Sequence, residues 1–386
     1  MIPYGKQSID RNDVKSVMDV LKSDFLTQGS QVPKFEKVVS NYCGSRFGVA
    51  TNSATSALHI ACLALGLRKG DRFWTSPNTF VASANCGLYC GASVDFVDID
   101  PLTYNICTEK LEKKLKKAKK DGKLPKVVIP VHFAGQSCEM KKIHSLSKEY
   151  KFKIIEDASH AIGGRYLKNL IGCCKYSDIT VFSFHPVKII TTAEGGLATT
   201  NDKGLFARMQ LLRTHGITRD AKLISKKKLI SKWFYQQIEL GYNYRMNDLQ
   251  AALGISQMKK IDKFISKRRE IQYRYDKALK KLPLIIPHQS PNSFSSLHLY
   301  TVQIKPDELK KNRKEIFEEL QKNKIGVNVH YIPVHTHPFF KKLGFKKNLY
   351  PNAETYYKNA ISLPIFPGLT IKMQNEVINT LEKTLI

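Results

Sequence analysis

Short apolar runs alternate along the first half of the chain with segments whose apolar residues recur at helical spacing. Residues 94–99, 127–133, 153–156 and 179–184 read as buried strands, and 138–150 between two of them carries the helical period. That alternation predicts crossover units on a mostly parallel sheet, with helices on its faces and ligands at the carboxyl ends of its strands. Asp157 and Lys188 each follow one of these runs and are expected at that edge. A long helical pattern follows over residues 247–279, with Leu249, Leu253, Met258, Ile261 and Ile265 on one stripe. It is expected to lead out of a large domain, residues 1–255, into a smaller α/β domain, residues 256–386. The alternation of the latter shows in 297–304, 313–323 and the closing helix 372–386. No internal repeat or low-complexity linker interrupts the pattern.

Length and composition narrow the class. A chain of 386 residues with 42% hydrophobic content can bury large cores. No stretch approaches the roughly 18 apolar residues of a membrane helix, and Met1 to Lys6 lacks a secretory hydrophobic core, so a cytoplasmic protein without a membrane partner is expected. The eight cysteines form no CxxC pair and read as reduced thiols with no assigned chemistry. His335-Thr336-His337 lacks further ligands at suitable spacing, so no metal is expected.

Charge changes the picture more. Lys and Arg number 62 against 33 Asp and Glu, a net charge of +29, which raises a basic nucleic-acid-binding protein as an alternative of another class. The lysines, however, are scattered, and residues 110–120 set leucines at helical spacing among lysines, the pattern of a solvated amphipathic helix. No zinc-finger, RNP or basic-zipper pattern accompanies the charge, so no nucleic-acid partner is expected.

The candidate chemistry is concentrated in a few segments. In Ser183-Phe184-His185-Pro186-Val187-Lys188 one lysine follows a strand-like run, and Thr191 to Gly196 supplies a polar turn where backbone can approach a ligand. An amine at its ordinary pKa of about 10.4 is a poor nucleophile, but it becomes reactive when desolvated or joined to an aldehyde cofactor. Ser183 can offer a hydroxyl to a phosphate. Asp157 can face a pyridine nitrogen, which draws electrons only when protonated, or it can simply cap the segment 158–162. Asn52 to His59 opens a helix with small and hydroxyl residues, suited either to a phosphate or to ordinary capping. Phe80 is a ring that can stack on a cofactor or fill a core.

Five blocks, taken in order, carry a family resemblance over nearly the whole chain: Leu26-Thr27-Gln28-Gly29, Asn52 to Leu58, Asp157 to Gly164, Ser183 to Gly196, and Gly241-Tyr242-Asn243-Tyr244-Arg245-Met246-Asn247. The sequence resembles the DegT/DnrJ/EryC1/StrS nucleotide-sugar aminotransferases. The resemblance implies the α/β fold type I, aspartate-aminotransferase-like architecture, pyridoxal 5'-phosphate as cofactor, and a homodimer with a shared active site. It implies that Lys188 bonds to the cofactor aldehyde, that Asp157 pairs with the pyridine nitrogen, and that His160 lies near the phenolic oxygen. Ala54, Thr55 and Ser183 would meet the phosphate, with Asn243 reaching it from the other subunit. For substrate the matching positions are Tyr4, Asp24, Phe25, Leu26, Thr27, Asn328, Val329, His330 and Tyr331. The implied reaction moves the amino group of L-glutamate to the C4 keto group of a UDP-linked 4-keto-6-deoxy-N-acetylhexosamine, as in pseudaminic acid biosynthesis. Asp24 and Phe25 differ in type from the residues expected there, and Ile332 stands where a lysine is expected. Perosamine-type and UDP-bacillosamine-type sugars therefore stay open as alternatives. Deoxygenating relatives carry histidine in place of the lysine, so Lys188 argues against that chemistry.

Overall fold

The computed structural model describes residues 1–220, 222–224, 231 and 233–385. Its first half holds a seven-stranded sheet. Five of the strands are β1 (Phe47–Thr51), β2 (Arg72–Thr75), β3 (Ser93–Phe96), β4 (Val127–Ile129) and β5 (Lys153–Asp157), and the other two are Ile179–Ser183 and Gly196–Thr200. From one edge to the other the order is β1, 196–200, 179–183, β5, β4, β2, β3. Only 196–200 runs against its neighbours. The remaining strands are mutually parallel, as the strand–helix alternation predicts.

Consecutive strand residues enter different cores. Val49, Phe73, Val127, Ile155, Val181 and Ala198 pack toward α3 (Ala54–Ala64), α4 (Ala82–Leu88) and α7 (Lys203–Arg213). Their chain neighbours Trp74, Val128 and Ile154 pack against α5 (Thr108–Lys120) and α6 (Met140–Tyr150). Ala50, Phe182 and Leu197 pack against α2 (Gln31–Cys43) and α8 (Asp248–Met258). Both sheet faces are thus covered, which is why the strands read as continuous apolar runs rather than alternating ones. In α5, Leu111 and Leu115 are fully buried and Lys113, Lys116, Lys117, Lys119 and Lys120 are exposed, whereas Lys110 and Lys114 turn back to Asp98 and to the Phe96 carbonyl.

The helical pattern at 247–279 resolves into two helices, α8 and α9 (Ile261–Leu279), rather than one. The break at Lys259–Lys260 is fastened from outside. Lys260 Nζ lies 2.8 Å from Asp10 Oδ2 and 2.5 Å from Asp13 Oδ2, at the start of α1 (Arg11–Leu21), and Gln257 Nε2 donates to Ser8 O and Asp13 Oδ2. α9 then joins two cores. Ile261, Phe264 and Ile265 belong to the large-sheet side, whereas Ile271, Tyr275 and Leu279 pack with the three-stranded sheet formed by Leu284–Ile285, Tyr300–Ile304 and Ala360–Leu363. The expected division at 255/256 falls inside α8. Ile2, at the other end of the chain, packs in the C-terminal core and exchanges backbone hydrogen bonds with Lys324 and Gly326.

Candidate active site

Strand alternation sorts the carboxylates at the end of β5. Asp157 follows Ile155 onto the α3/α4 face, while Glu156 faces the opposite side and meets His132 Nε2 at 2.6 Å. The segment after Asp157 forms turns, not the helix that a capping role would serve. Asp157 Oδ1 accepts from the Ser159 amide (3.1 Å) and hydroxyl (2.6 Å), and Oδ2 accepts from Ser83 Oγ on α4 (2.6 Å). The carboxylate is 4% exposed and has no ion pair among the described residues. Three donors thus fix the position of this buried carboxylate.

Lys188 lies in the turn that follows strand 179–183, its amide bonded to His185 O. Its side chain is open toward the cleft yet densely walled by protein. This desolvation brings the amine down from 10.5 to about 8, against the opposing pull of Asp157. The open side of the amine faces the cleft and not bulk water. Among the described residues no hydrogen bond or ion pair involves the ammonium.

One cleft of about 570 Å³ gathers Tyr4, Ala54, Thr55, Phe80, Asp157, His160, Ser183, Lys188, Asn328, Val329, His330 and Tyr331. The N-terminus of α3 forms one wall. Ser53 caps it by accepting the Ser56 amide at 3.1 Å, and the first amides of α3, at Ala54 and Thr55, have no intrahelical acceptor. Strand 196–200 starts directly against this turn, and a Cβ on Gly196 would lie 2.5 Å from Ala54 N.

Histidines and tyrosines form the opposite wall. His160 Nδ1 accepts the Ala134 amide at 3.3 Å, which assigns the proton to Nε2, 3.0 Å from Tyr331 Oη. Burial, then Lys188 and His330, keep His160 neutral. His330, with Nδ1 2.8 Å from Ser362 Oγ, is pushed down to about 3 by burial and by Lys188. Burial raises the Tyr331 hydroxyl, with Asp157 and Tyr4 adding to it. The wall is therefore uncharged at neutral pH and Lys188 is its titrating neighbour.

Several predicted residues lie elsewhere. Asp24, Phe25, Leu26 and Thr27 form an exposed bend after α1, where Leu26 O accepts the Asp248 amide at 2.9 Å, and Asn243 is exposed beside Asn52. None of the five lines the cleft. Ile332 is 44% exposed and likewise outside it. His335 Nε2 is 3.0 Å from Glu354 Oε1, and no group of three or more metal-ligating side chains is found among the described residues. No helix there is long and apolar enough to cross a membrane.

Sequence reasoning missed Ser83, Ser159 and His298. Ser159 had a signal, a short hydroxyl residue two positions after an aspartate, which favours a local turn onto the carboxylate. Ser83 had none, being 74 positions from Asp157. His298 lines the cleft with its ring 4.4 Å from His160, and its carbonyl is held by the fully buried Arg268 at 3.2 Å.

Comparison with known proteins finds relatives along nearly the whole chain. The chain is 41% identical over 382 residues to the UDP-4-amino-4,6-dideoxy-N-acetyl-beta-L-altrosamine transaminase of Campylobacter jejuni subsp. jejuni serotype O:23/36, covering 99% of this chain and 96% of the relative. It superposes with a TM-score of 0.91 and 32% identity on Helicobacter pylori PseC, described as an aminotransferase involved in the biosynthesis of pseudoaminic acid, covering 100% of this chain and 99% of the other. The PLP-form of the putative sugar aminotransferase Spr1654 from Streptococcus pneumoniae gives 0.88 at 28% identity, with both chains fully covered. The model of the DegT/DnrJ/EryC1/StrS aminotransferase family matches residues 7–382. The chain is a member of that family, a pyridoxal phosphate-dependent nucleotide-sugar aminotransferase of fold type I.

Proposed function

We propose that this enzyme transfers the amino group of L-glutamate to the C4 keto carbon of a UDP-linked 4-keto-6-deoxy-N-acetylhexosamine, the step that serves pseudaminic acid biosynthesis. The observation that carries the reading is the pair Lys188 and Asp157 in one cleft, the amine with its pKa lowered and the acid buried without a cation. The sugar rests on the 41% identity to the altrosamine transaminase, whose name specifies a UDP-linked 4-amino-4,6-dideoxy-N-acetyl sugar, the aminated counterpart of such a substrate.

The residues present fit pyridoxal phosphate. Asp157, supported by Ser83 and Ser159, takes the pyridine nitrogen; the Ala54 and Thr55 amides with the Ser183 hydroxyl take the phosphate; Lys188 takes the aldehyde. Phe80, 59% exposed at the cleft, supplies a ring face, and His160 with Tyr331 forms the wall toward the phenolic oxygen. When bound, the cofactor supplies the electron sink for a carbanion at the carbon that loses its proton. Lys188, as a free amine, would take the proton from the amino-bearing carbon of the donor and, as the ammonium, give it back, serving as base and then acid. Its pKa of about 8 suits both directions near neutral pH. Asp157 keeps a negative charge where positive charge must persist, and the neutral histidines add no competing cation.

Tyr4, Asn328, Val329 and His330 line the cleft beyond these groups and form the sugar subsite, with Tyr331 between sugar and cofactor. Asp24 to Thr27 and Asn243, exposed in the single chain, serve the neighbouring subunit's site in a homodimer, with Asn243 reaching its phosphate. Residues 1–255 act as the large cofactor-binding domain and 256–386 as the small C-terminal domain, in a cytoplasmic enzyme. Purified protein incubated with glutamate and a panel of UDP-, dTDP- and GDP-4-keto sugars tests this, with product configuration read by NMR. Amination of the UDP-linked N-acetylated sugar with the highest kcat/KM is expected, and a preference for a GDP sugar would overturn the substrate.

A further inference from the structure

The proton of His160 sits on Nε2, toward Tyr331, because the Ala134 amide donates to Nδ1 at 3.3 Å. Ala134 has a left-handed backbone, φ 57°, a conformation unfavourable for any residue with a Cβ. Its surroundings must hold it there. Two buried side chains close the loop 132–138 from within. His132 Nδ1 accepts the Cys138 amide at 3.1 Å and so joins the two ends of the loop. Asn105, 3% exposed, grips it on both sides of Ala134. Its Oδ1 accepts the Phe133 amide at 2.8 Å, and its Nδ2 donates to the Gln136 and Ser137 carbonyls at 3.0 and 3.1 Å. A reversed side-chain amide would set its oxygen against two carbonyl oxygens, so only this orientation serves.

Asn105 lies between β3 and α5 and does not line the cleft, nor do Phe133 and Ala134. Its reach into the site is through the backbone of the loop. From the other side, the Ser296 amide donates to Gly135 O at 3.2 Å and Ser296 Oγ to His160 O at 2.9 Å, which fixes the main chain of the loop and of His160 relative to each other. The direction of the Ala134 N–H is then set by the Phe133–Ala134 peptide, and that is the peptide Asn105 brackets.

We infer that Asn105 is a positioning residue for the reaction: it holds the Ala134 amide on His160 Nδ1 and thereby keeps an N–H donor, not a bare nitrogen, at Nε2 on the cleft wall. The inference rests on the assignment of His160 and Tyr331 to the wall beside the cofactor's phenolic oxygen. Without the Asn105 side chain, one amide and two carbonyls of a buried loop lose their partners, and the loop must rearrange to satisfy them. Ala134 then relaxes to negative φ and its amide swings off the ring. Nδ1 is free to carry the proton, Nε2 becomes an acceptor for the Tyr331 hydroxyl, and the wall loses its imidazole donor.

NMR of the holoprotein labelled with 15N-histidine reads the tautomer, His160 being identified by the signals lost in His160→Gln. The wild type should show an unprotonated Nδ1 and a protonated Nε2. In Asn105→Ala, or in Asn105→Ser should the alanine variant not fold, the Nδ1 signal should move toward the protonated position. The single-turnover rate of cofactor conversion by glutamate should fall about 10-fold in the same variant. Added to His160→Gln, the substitution should change that rate less than about 2-fold while lowering the unfolding temperature as much as it does in the wild type. An unmoved Nδ1 signal, a wild-type Nδ1 that is already protonated, or an equal rate loss in both backgrounds would overturn the inference. Neither readout involves a sugar, so an error in the proposed nucleotide sugar leaves both results as expected and shows only in the sugar panel.

Discussion

At the scale of single residues, Lys188 and Asp157 are set apart by what surrounds them. A lysine pushed from 10.5 to about 8 by desolvation is half free base near pH 8. In cofactor-free protein the rate of pyridoxal phosphate uptake, followed by visible absorbance, should therefore rise with pH to a midpoint near 8 and level off above it. A midpoint near 10 would remove the desolvation argument. The same shift has a stability counterpart, because between pH 8 and 10.5 the unfolded chain binds more protons at this amine than the folded one. The cost to the cofactor-free fold is full below pH 8 and disappears as pH rises toward 10.5. Lys188→Ala should abolish turnover. Asp157→Asn keeps the shape but not the charge, and kcat should fall on the order of 10²-fold, as for other preorganised electrostatic contributions; single-turnover kinetics with glutamate would measure it, and an unchanged rate excludes Asp157 from the chemistry.

At the scale of elements, the site depends on how closely strand 196–200 approaches the start of α3. Gly196→Ala places a methyl 2.5 Å from Ala54 N and from the Ser53 carbonyl, all backbone atoms that cannot swing away as a side chain would. The expected result is a displaced first turn of α3, a stability loss of about 1–3 kcal/mol, and weaker retention of the cofactor phosphate. Thermal unfolding and equilibrium dialysis of pyridoxal phosphate read the two effects separately. The turn 191–196 was recognisable from its composition as a place where backbone nears a ligand. The partner that makes Gly196 necessary, the α3 N-terminus, was not, since the two lie far apart in the chain.

At the scale of the whole molecule, the exposed Asp24 to Thr27 bend and the exposed Asn243 make sense if two subunits share their sites. Neither Lys188→Ala nor Asn243→Asp should be active alone if Asn243 serves the partner. A mixed dimer of the two carries both defects in one site and leaves the other intact. Activity should therefore reappear when the variants are unfolded and refolded together. No recovery, with mixed dimers verified by mass, would place Asn243 in its own subunit's chemistry. Ile2 packing in the C-terminal core and α9 crossing between cores mean that the two ends of the chain and the seam between its halves were set by burial over long distances, which no local period reports.

The sequence by itself determined the parallel sheet, the strand ends that bear Asp157 and Lys188, and the polar opening of α3, because each follows from periodicity and residue type within a few turns of chain. It also carried the family, through blocks whose order survives without any three-dimensional knowledge. Tertiary structure alone decided that Ser83 reaches the acid and that His298 joins the wall on the support of Arg268. Those contacts arise from packing of separate elements, and the burial that neutralises the histidines and lowers Lys188 exists only once the elements have closed around them.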